Sequence, residues 1–184
     1  AEFYPQAVVL HKDLATQYAT DPLFYFARLK QGNLLRSMNN FVGAQIVYEN
    51  LINGFPAHEM RYIAELSRAD CMLALAGNDS DGLADAVIIL ERLLDLPNLP
   101  LDFQAEAAQK WAFALIKSGS SEKAKEVLWL SVDRFIGDGE KAAALGAAGR
   151  YWLARSMLQL GEVFEKQDNL VQARKVYRQA SAYN

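Results

Sequence analysis

The stretch from Leu160 to Ala180 limits what this chain can fold into more than any other. A small residue, Gly161, and an aromatic three positions on, Phe164, precede a polar break from Lys166 to Asn169. Beyond the break come Ala173, Tyr177 and Ala180 at helical spacing. Two helices joined by a tight turn explain this order. Gly161 and Ala173 are then the flat places where antiparallel helices approach closely, and Leu160, Phe164, Val176 and Tyr177 fill the space around that contact. One such hairpin leaves an apolar stripe uncovered, so neighbouring units must cover it.

The same order recurs upstream. Gly32-x2-Leu35, a break from Ser37 to Asn40, and Ala44-x3-Tyr48 with Leu51 form a second unit, closed by Phe55-Pro56. Proline ends that helix because it has no N–H and clashes with the preceding turn. A helix from about 57 to 76, with Tyr62, Leu66, Ala69, Met72 and Leu73 on one side, is joined by the longer turn GNDSDG to a helix from 82 to 94 carrying Ala86-x3-Leu90. Asp102 reads as the N-cap of a helix through Lys117. Ala112-x2-Leu115, the break SGSS and Ala124-x3-Leu128 follow. From Glu140 to Lys166 the pattern predicts one long helix, in which Gly146 and Gly149 let another helix approach or allow a bend. Residues 6–19 read as a second helix without its first. The reference alanines Ala7, Ala44, Ala86, Ala124 and Ala173 lie 37, 42, 38 and 49 residues apart, and Tyr18-Ala19, Phe55-Pro56 and Phe135-Ile136 share one place in the register.

These units resemble the tetratricopeptide repeat, W-x2-L-G-x2-Y then A-x3-F then P over about 34 residues. Leu160-Gly161-x2-Phe164 and Ala173-x3-Tyr177 match it, with Met157 in the place of the Trp. The resemblance implies an all-α, right-handed α-α superhelix of about nine helices. We expect a single repeat domain over 1–184, divided into a half repeat at 6–20 and repeats at 22–56, 57–100, 102–137 and 139–183, the last with an extended first helix. A start at Ala1 and the lone opening helix suggest a piece of a longer protein. The loose spacing and Gly54-Phe55-Pro56 are similar to repeats of bacterial cell-envelope proteins, the outer-membrane assembly lipoproteins and the Tol-Pal coordinator, which would imply the periplasm or envelope.

In the tetratricopeptide family the first helices line a concave groove that receives a peptide or helix of another protein. The register around the small residues Gly32, Ala69, Ala112 and Gly161 carries that role to Leu29, Asn33 and Arg36, to Leu66 and Asp70, to Gln109, Phe113 and Lys117, and to Glu162 and Lys166. Leu73 and Leu158 occupy equivalent places. Members that clamp a C-terminal carboxylate use a Lys one turn from an Asn. Here Asn33 is present, but Leu29 stands for the Lys and Glu106 takes the later basic position, which argues against such a clamp.

Other chemistries fit less well. A net charge of −3 speaks against a nucleic-acid partner, and no apolar run approaches the roughly 18 residues of a membrane span. His58-Glu59 begins a zinc signature, but Tyr62 stands where the second histidine belongs. GNDSDG has Gly77 in place of the first acid of a calcium loop. Gly137-Asp138-Gly139 is a helix-to-helix turn, because no strand precedes it. Cys71 sits on an apolar helix and reads as a small core residue, as do Trp111 and Trp129. The expectation is a non-catalytic scaffold with no cofactor and no metal, whose partner is another protein. The alternative is a structural module that self-associates through uncapped ends.

Overall fold

The computed structural model describes residues 4–17, 23–77 and 80–181. These form ten α-helices, with no strand among the described residues: α1 (Tyr4–Gln17), α2 (Phe24–Ser37), α3 (Phe41–Gly54), α4 (Arg61–Ala76), α5 (Ser80–Leu94), α6 (Leu101–Lys117), α7 (Ser121–Ile136), α8 (Gly139–Ala144), α9 (Ala147–Lys166) and α10 (Leu170–Ser181). They gather into two compact units, residues 1–89 and 90–184, which divide within α5. In the first, α2 packs on α1, α3 and α4, and α3 also packs on α4. In the second, α6 packs on α7 and α9, α7 also on α9, and α9 on α10. Each first helix thus touches its own second helix and the first helix of the next pair.

The turns that set this arrangement follow one hydrogen-bond plan. Asn39, Gly119 and Asp168 each lie seven residues after the small residue of their first helix, and each has a positive φ, of 59°, 85° and 56°. Glycine adopts that conformation freely; Asn and Asp are the side chains that tolerate it best. The left-handed step lets the next residue reach back. Asn40 N donates to the Leu35 carbonyl at 2.9 Å, Ser120 N to Leu115 at 2.8 Å and Asn169 N to Phe164 at 2.9 Å, the Schellman closure of a helix C-terminus. The same three residues then open the next helix. Their carbonyls accept from the amides of Ala44, Ala124 and Ala173 at 3.0 to 3.1 Å, and Asn40 Oδ1 also accepts from Gly43 N at 3.0 Å.

With the turn fixed, one residue of the second helix always faces the small residue of the first. The spacing is sixteen in three pairs: Gly32 to Tyr48, Ala112 to Leu128, Gly161 to Tyr177. A methyl group on Gly32 would sit 2.5 Å from a Tyr48 ring carbon, and one on Gly161 would overlap the Tyr177 ring. Where the facing residue is leucine there is room for alanine, and Ala112 and Leu128 are both fully buried. Side-chain volume is therefore exchanged across the contact at nearly constant helix spacing.

Two sequence expectations are corrected. The run from Glu140 to Lys166 is not one helix, since Leu145 and Gly146 take extended conformations and separate α8 from α9. Asp102 is not the N-cap of its own helix, because Pro100 holds that position. The Asp102 carboxylate instead accepts from Gly146 N at 2.8 Å, capping α9 from a neighbouring helix. A Cβ on Gly146 or Gly149 would collide with that carboxylate, which accounts for two glycines in an alanine-rich run. Asp138 opens α8, accepting from the amides of Glu140 and Lys141 at 3.1 Å each. The register call on Tyr18-Ala19 lies outside the described residues; Phe55 and Phe135 do both fall at the ends of second helices.

The volume exchange predicts a swap. Gly161→Ala alone should cost about 1 to 3 kcal/mol through overpacking, and Tyr177→Leu alone a comparable amount through lost contacts. The double variant recreates the Ala112–Leu128 pairing and should recover much of both losses in urea denaturation. Losses that simply add would show that the two residues do not share one contact.

Candidate functional site

The first helices α2, α4, α6 and α9 carry the surface to which the repeat register points. In the first unit most of the singled-out residues are engaged within the fold. Leu29 is buried in a cluster with Tyr25, Ala44, Tyr48, Leu51 and Cys71. Asn33 is half-buried, its Oδ1 accepting from the Tyr48 hydroxyl at 2.7 Å. Arg36 and Asp70 meet at 2.5 Å and tie α2 to α4. Their side chains keep 35 % and 21 % exposure, so the pair is partly screened and its stabilising effect is on the order of 1 kcal/mol or less. Leu66 is buried on α4.

In the second unit Gln109 is also buried and donates from Nε2 to Gln159 Oε1 at 3.2 Å, joining α6 to α9. Leu29, Leu66 and Gln109 therefore depart from the surface placement expected of them. Leu29 and Gln109 lie three residues before the small residue, where the side chain meets the neighbouring first helix. Leu158 occupies the same place on α9, with no further first helix among the described residues to cover it, and is 48 % exposed. Phe113 is half-buried with the Lys117 ammonium 5.2 Å from its ring centroid, an attractive cation–π placement. Glu162 and Lys166 are exposed.

Around these the fold adds residues that the repeat register did not single out. Lys110, 8 % exposed, is paired with Glu106 one turn earlier and lies 4.9 Å over the Trp152 ring. A buried ammonium is tolerable only with such compensation. Arg155 covers Tyr151 and Trp152 at 5.8 and 5.9 Å, and its Nη1 donates to the Tyr151 hydroxyl at 3.0 Å. The visible signal was the four-residue spacing of Glu106 and Lys110 and of Tyr151 and Arg155. The result on α6 and α9 is an apolar and aromatic strip, Phe113, Leu158 and Tyr151, set among charges of both signs.

The remaining chemical candidates have structural uses. The His58 ring stacks on Tyr25 at 3.6 Å and 7°, and its Nδ1 accepts from Met60 N at 3.1 Å, closing the turn before α4. Burial pushes the Cys71 thiol up from 9.0 to about 11, which removes the thiolate a nucleophile needs. No group of three or more His, Cys, Asp or Glu among the described residues could hold a metal ion. Asn78 and Asp79 of GNDSDG lie outside the described residues. Trp129 departs from the core placement expected of it: 45 % exposed, it presents its face edge-on to Phe164 at 6.4 Å. No described helix is long and apolar enough to cross a membrane.

Comparison with known proteins agrees with this geometry. The tetratricopeptide repeat family matches residues 155–183, the stretch formed by most of α9 and α10. Two crystal structures of the nearly identical TPR-like repeats of a Podosopora anserina kinesin light chain, the second a Q17M variant, are similar to the chain. The TM-scores are 0.62 and 0.64, at 15 % identity, over 98 % of this chain and 86 % of theirs. At that identity the likeness shows the fold, one of TPR-like paired helices. No curated protein matches the chain.

The buried acids make stability depend on alkaline pH. Burial raises the Tyr48 phenol from 10.0 to about 12, and the Tyr25 phenol likewise, with Glu65 adding to the latter. Each group is neutral when protonated, so the folded state holds these protons more tightly than the unfolded one. Below pH 9 both states keep them; as pH rises from 9 toward 12 the unfolded state loses them first and stability falls. The urea midpoint should decline through this window, and more gently above pH 10 in Tyr48→Phe. A flat profile would contradict the burial of these groups.

Proposed function

We propose that this chain is a non-catalytic protein-interaction scaffold that binds a peptide or helix of a partner along its first helices. The supporting observation is the strip on α6 and α9, where half-buried Phe113 and exposed Leu158 and Tyr151 lie among Lys117, Arg155, Glu162 and Lys166. An apolar line flanked by both charge signs suits an amphipathic segment. The five segments of the chain are read as one repeat array, in which Arg36 and Asp70 would border the same kind of surface in the first unit. Replacing Phe113 and Leu158 together by Ser should abolish capture of the partner while the far-ultraviolet spectrum stays helical. Capture undiminished in the double variant would place the binding surface elsewhere.

A second reading, self-association, is favoured by a different observation. Leu170 and Val171 on α10 are 65 % and 79 % exposed, and Val9 and Leu10 on α1 are 56 % and 59 % exposed. Joining such faces between copies would cover them, as a further repeat does in a solenoid. Sedimentation should then show a concentration-dependent dimer that Val171→Glu dissociates, and a monomer at every concentration would rule it out. A location in a bacterial cell envelope is supported only by the repeat spacing and Gly54-Phe55-Pro56; Phe55 already serves the fold by packing against Phe24 and Tyr25 at 5.4 and 5.9 Å. Fractionation of the source cells tests it.

A further inference from the structure

On the side of the second unit formed by α6, α7 and the end of α5 there is a cavity of about 300 Å³. It lies among α5, α6 and α7 rather than on the α6–α9 strip described above. Val127 and Phe135 give it apolar walls. Cavities also occur at the other junctions between second helices, beside α1 and α3 and beside α7 and α10. What sets this one apart is its polar inventory. Three of the residues lining it carry buried side-chain atoms without a hydrogen-bond partner: Gln104 Oε1, Trp111 Nε1 and Ser131 Oγ. Ser131 is only 8 % exposed. The α7–α10 cavity has one such atom, on Gln172.

A buried polar group left unpaired costs free energy, so three around one cavity point to an occupant that pairs with them. Their chemistry describes it. The indole N–H and the serine hydroxyl can donate, and the Gln104 oxygen can accept, its own Nε2 being spent on the Leu99 carbonyl at 2.5 Å. One acceptor beside two donors matches the N–H and C=O of a peptide group. The charge at the rim is also uneven. Lys123 and Arg134 are cationic and Glu126 anionic; Lys123 is held by Glu91 at 3.2 Å and lies over the Trp111 ring at 5.1 Å. The Arg134 guanidinium is exposed and points to an acidic neighbour in the occupant.

We propose that this cavity is a docking pocket for one large apolar side chain of a partner peptide, whose backbone pairs with Gln104, Trp111 and Ser131 and whose flanking residues are acidic. The site is independent of the strip on α6 and α9, so each can fail without the other. Three tryptophans, Trp111, Trp129 and Trp152, give three indole N–H resonances, assignable by single Trp→Phe variants. The whole protein is titrated with an acetylated, amidated pentapeptide carrying phenylalanine between pairs of glutamates, and with the same peptide carrying lysines. The glutamate peptide should shift the Trp111 resonance saturably, the lysine peptide should not, and Arg134→Glu should weaken the first interaction at least about threefold, as loss of a partly screened ion pair does. Arg134 is on the surface, and unchanged Trp129 and Trp152 resonances would show that this variant is folded. The Phe113/Leu158 double Ser variant should retain the shift. No saturable shift at millimolar peptide, meaning a cavity filled by water alone, would overturn the proposal. So would equal shifts with both peptides, or a response confined to Trp129 or Trp152.

Discussion

Everything in this fold depends on how closely the two helices of a pair approach, and that distance is set by one contact. A residue with little or no side chain on the first helix faces a bulky one sixteen residues later, as Gly32 faces Tyr48 and Gly161 faces Tyr177. The contact is useful only because the turn between them delivers the same residue each time. A left-handed residue at Asn39, Gly119 or Asp168 and the backbone bond that follows it fix the length of the connection to the residue. Local chemistry at the turn and volume matching at the crossing therefore enforce each other.

The Arg36–Asp70 and Gln109–Gln159 pairs show how the surface of the first helices is divided between stability and recognition. Positions that face the neighbouring first helix are taken up by packing or by a polar bridge. Those one residue beyond, or at the end of a first helix, stay accessible. Phe113, Lys117, Glu162 and Lys166 belong to the accessible class, and Leu158 joins it because nothing among the described residues packs over it. The α6–α9 strip is thus what remains after the fold has met its own contacts.

Much of this was legible in the sequence because the information is local. Small and large residues at fixed spacing, with polar breaks between, announce helical hairpins, and the turn positions follow from counting. The reading failed where distant residues decide. Asp102 was taken for a cap because it stands near a helix start, yet its carboxylate serves Gly146, forty-four residues on. That bond ends the continuity of the long helix, and no periodicity in KAAALGAAGR could disclose it. The groove residues were misplaced for a related reason: the register says which face of a helix Leu29 or Gln109 lies on, but not how much of it a neighbour covers. Trp111 and the unpaired atoms of Gln104 and Ser131 carry no sequence signature, since only packing reveals a missing partner.

Asn40, Ser120 and Asn169 each close one helix and open the next with a single residue, and this bears on how the chain folds. Most of what defines a hairpin lies within some thirty consecutive residues, so little chain entropy is spent in bringing its halves together. Contacts of such short reach favour rapid folding, and a nucleus can form in any hairpin and spread to its neighbours. The order of assembly is then governed by which hairpin is most stable by itself, rather than by a long-range pairing that must wait for the rest of the chain.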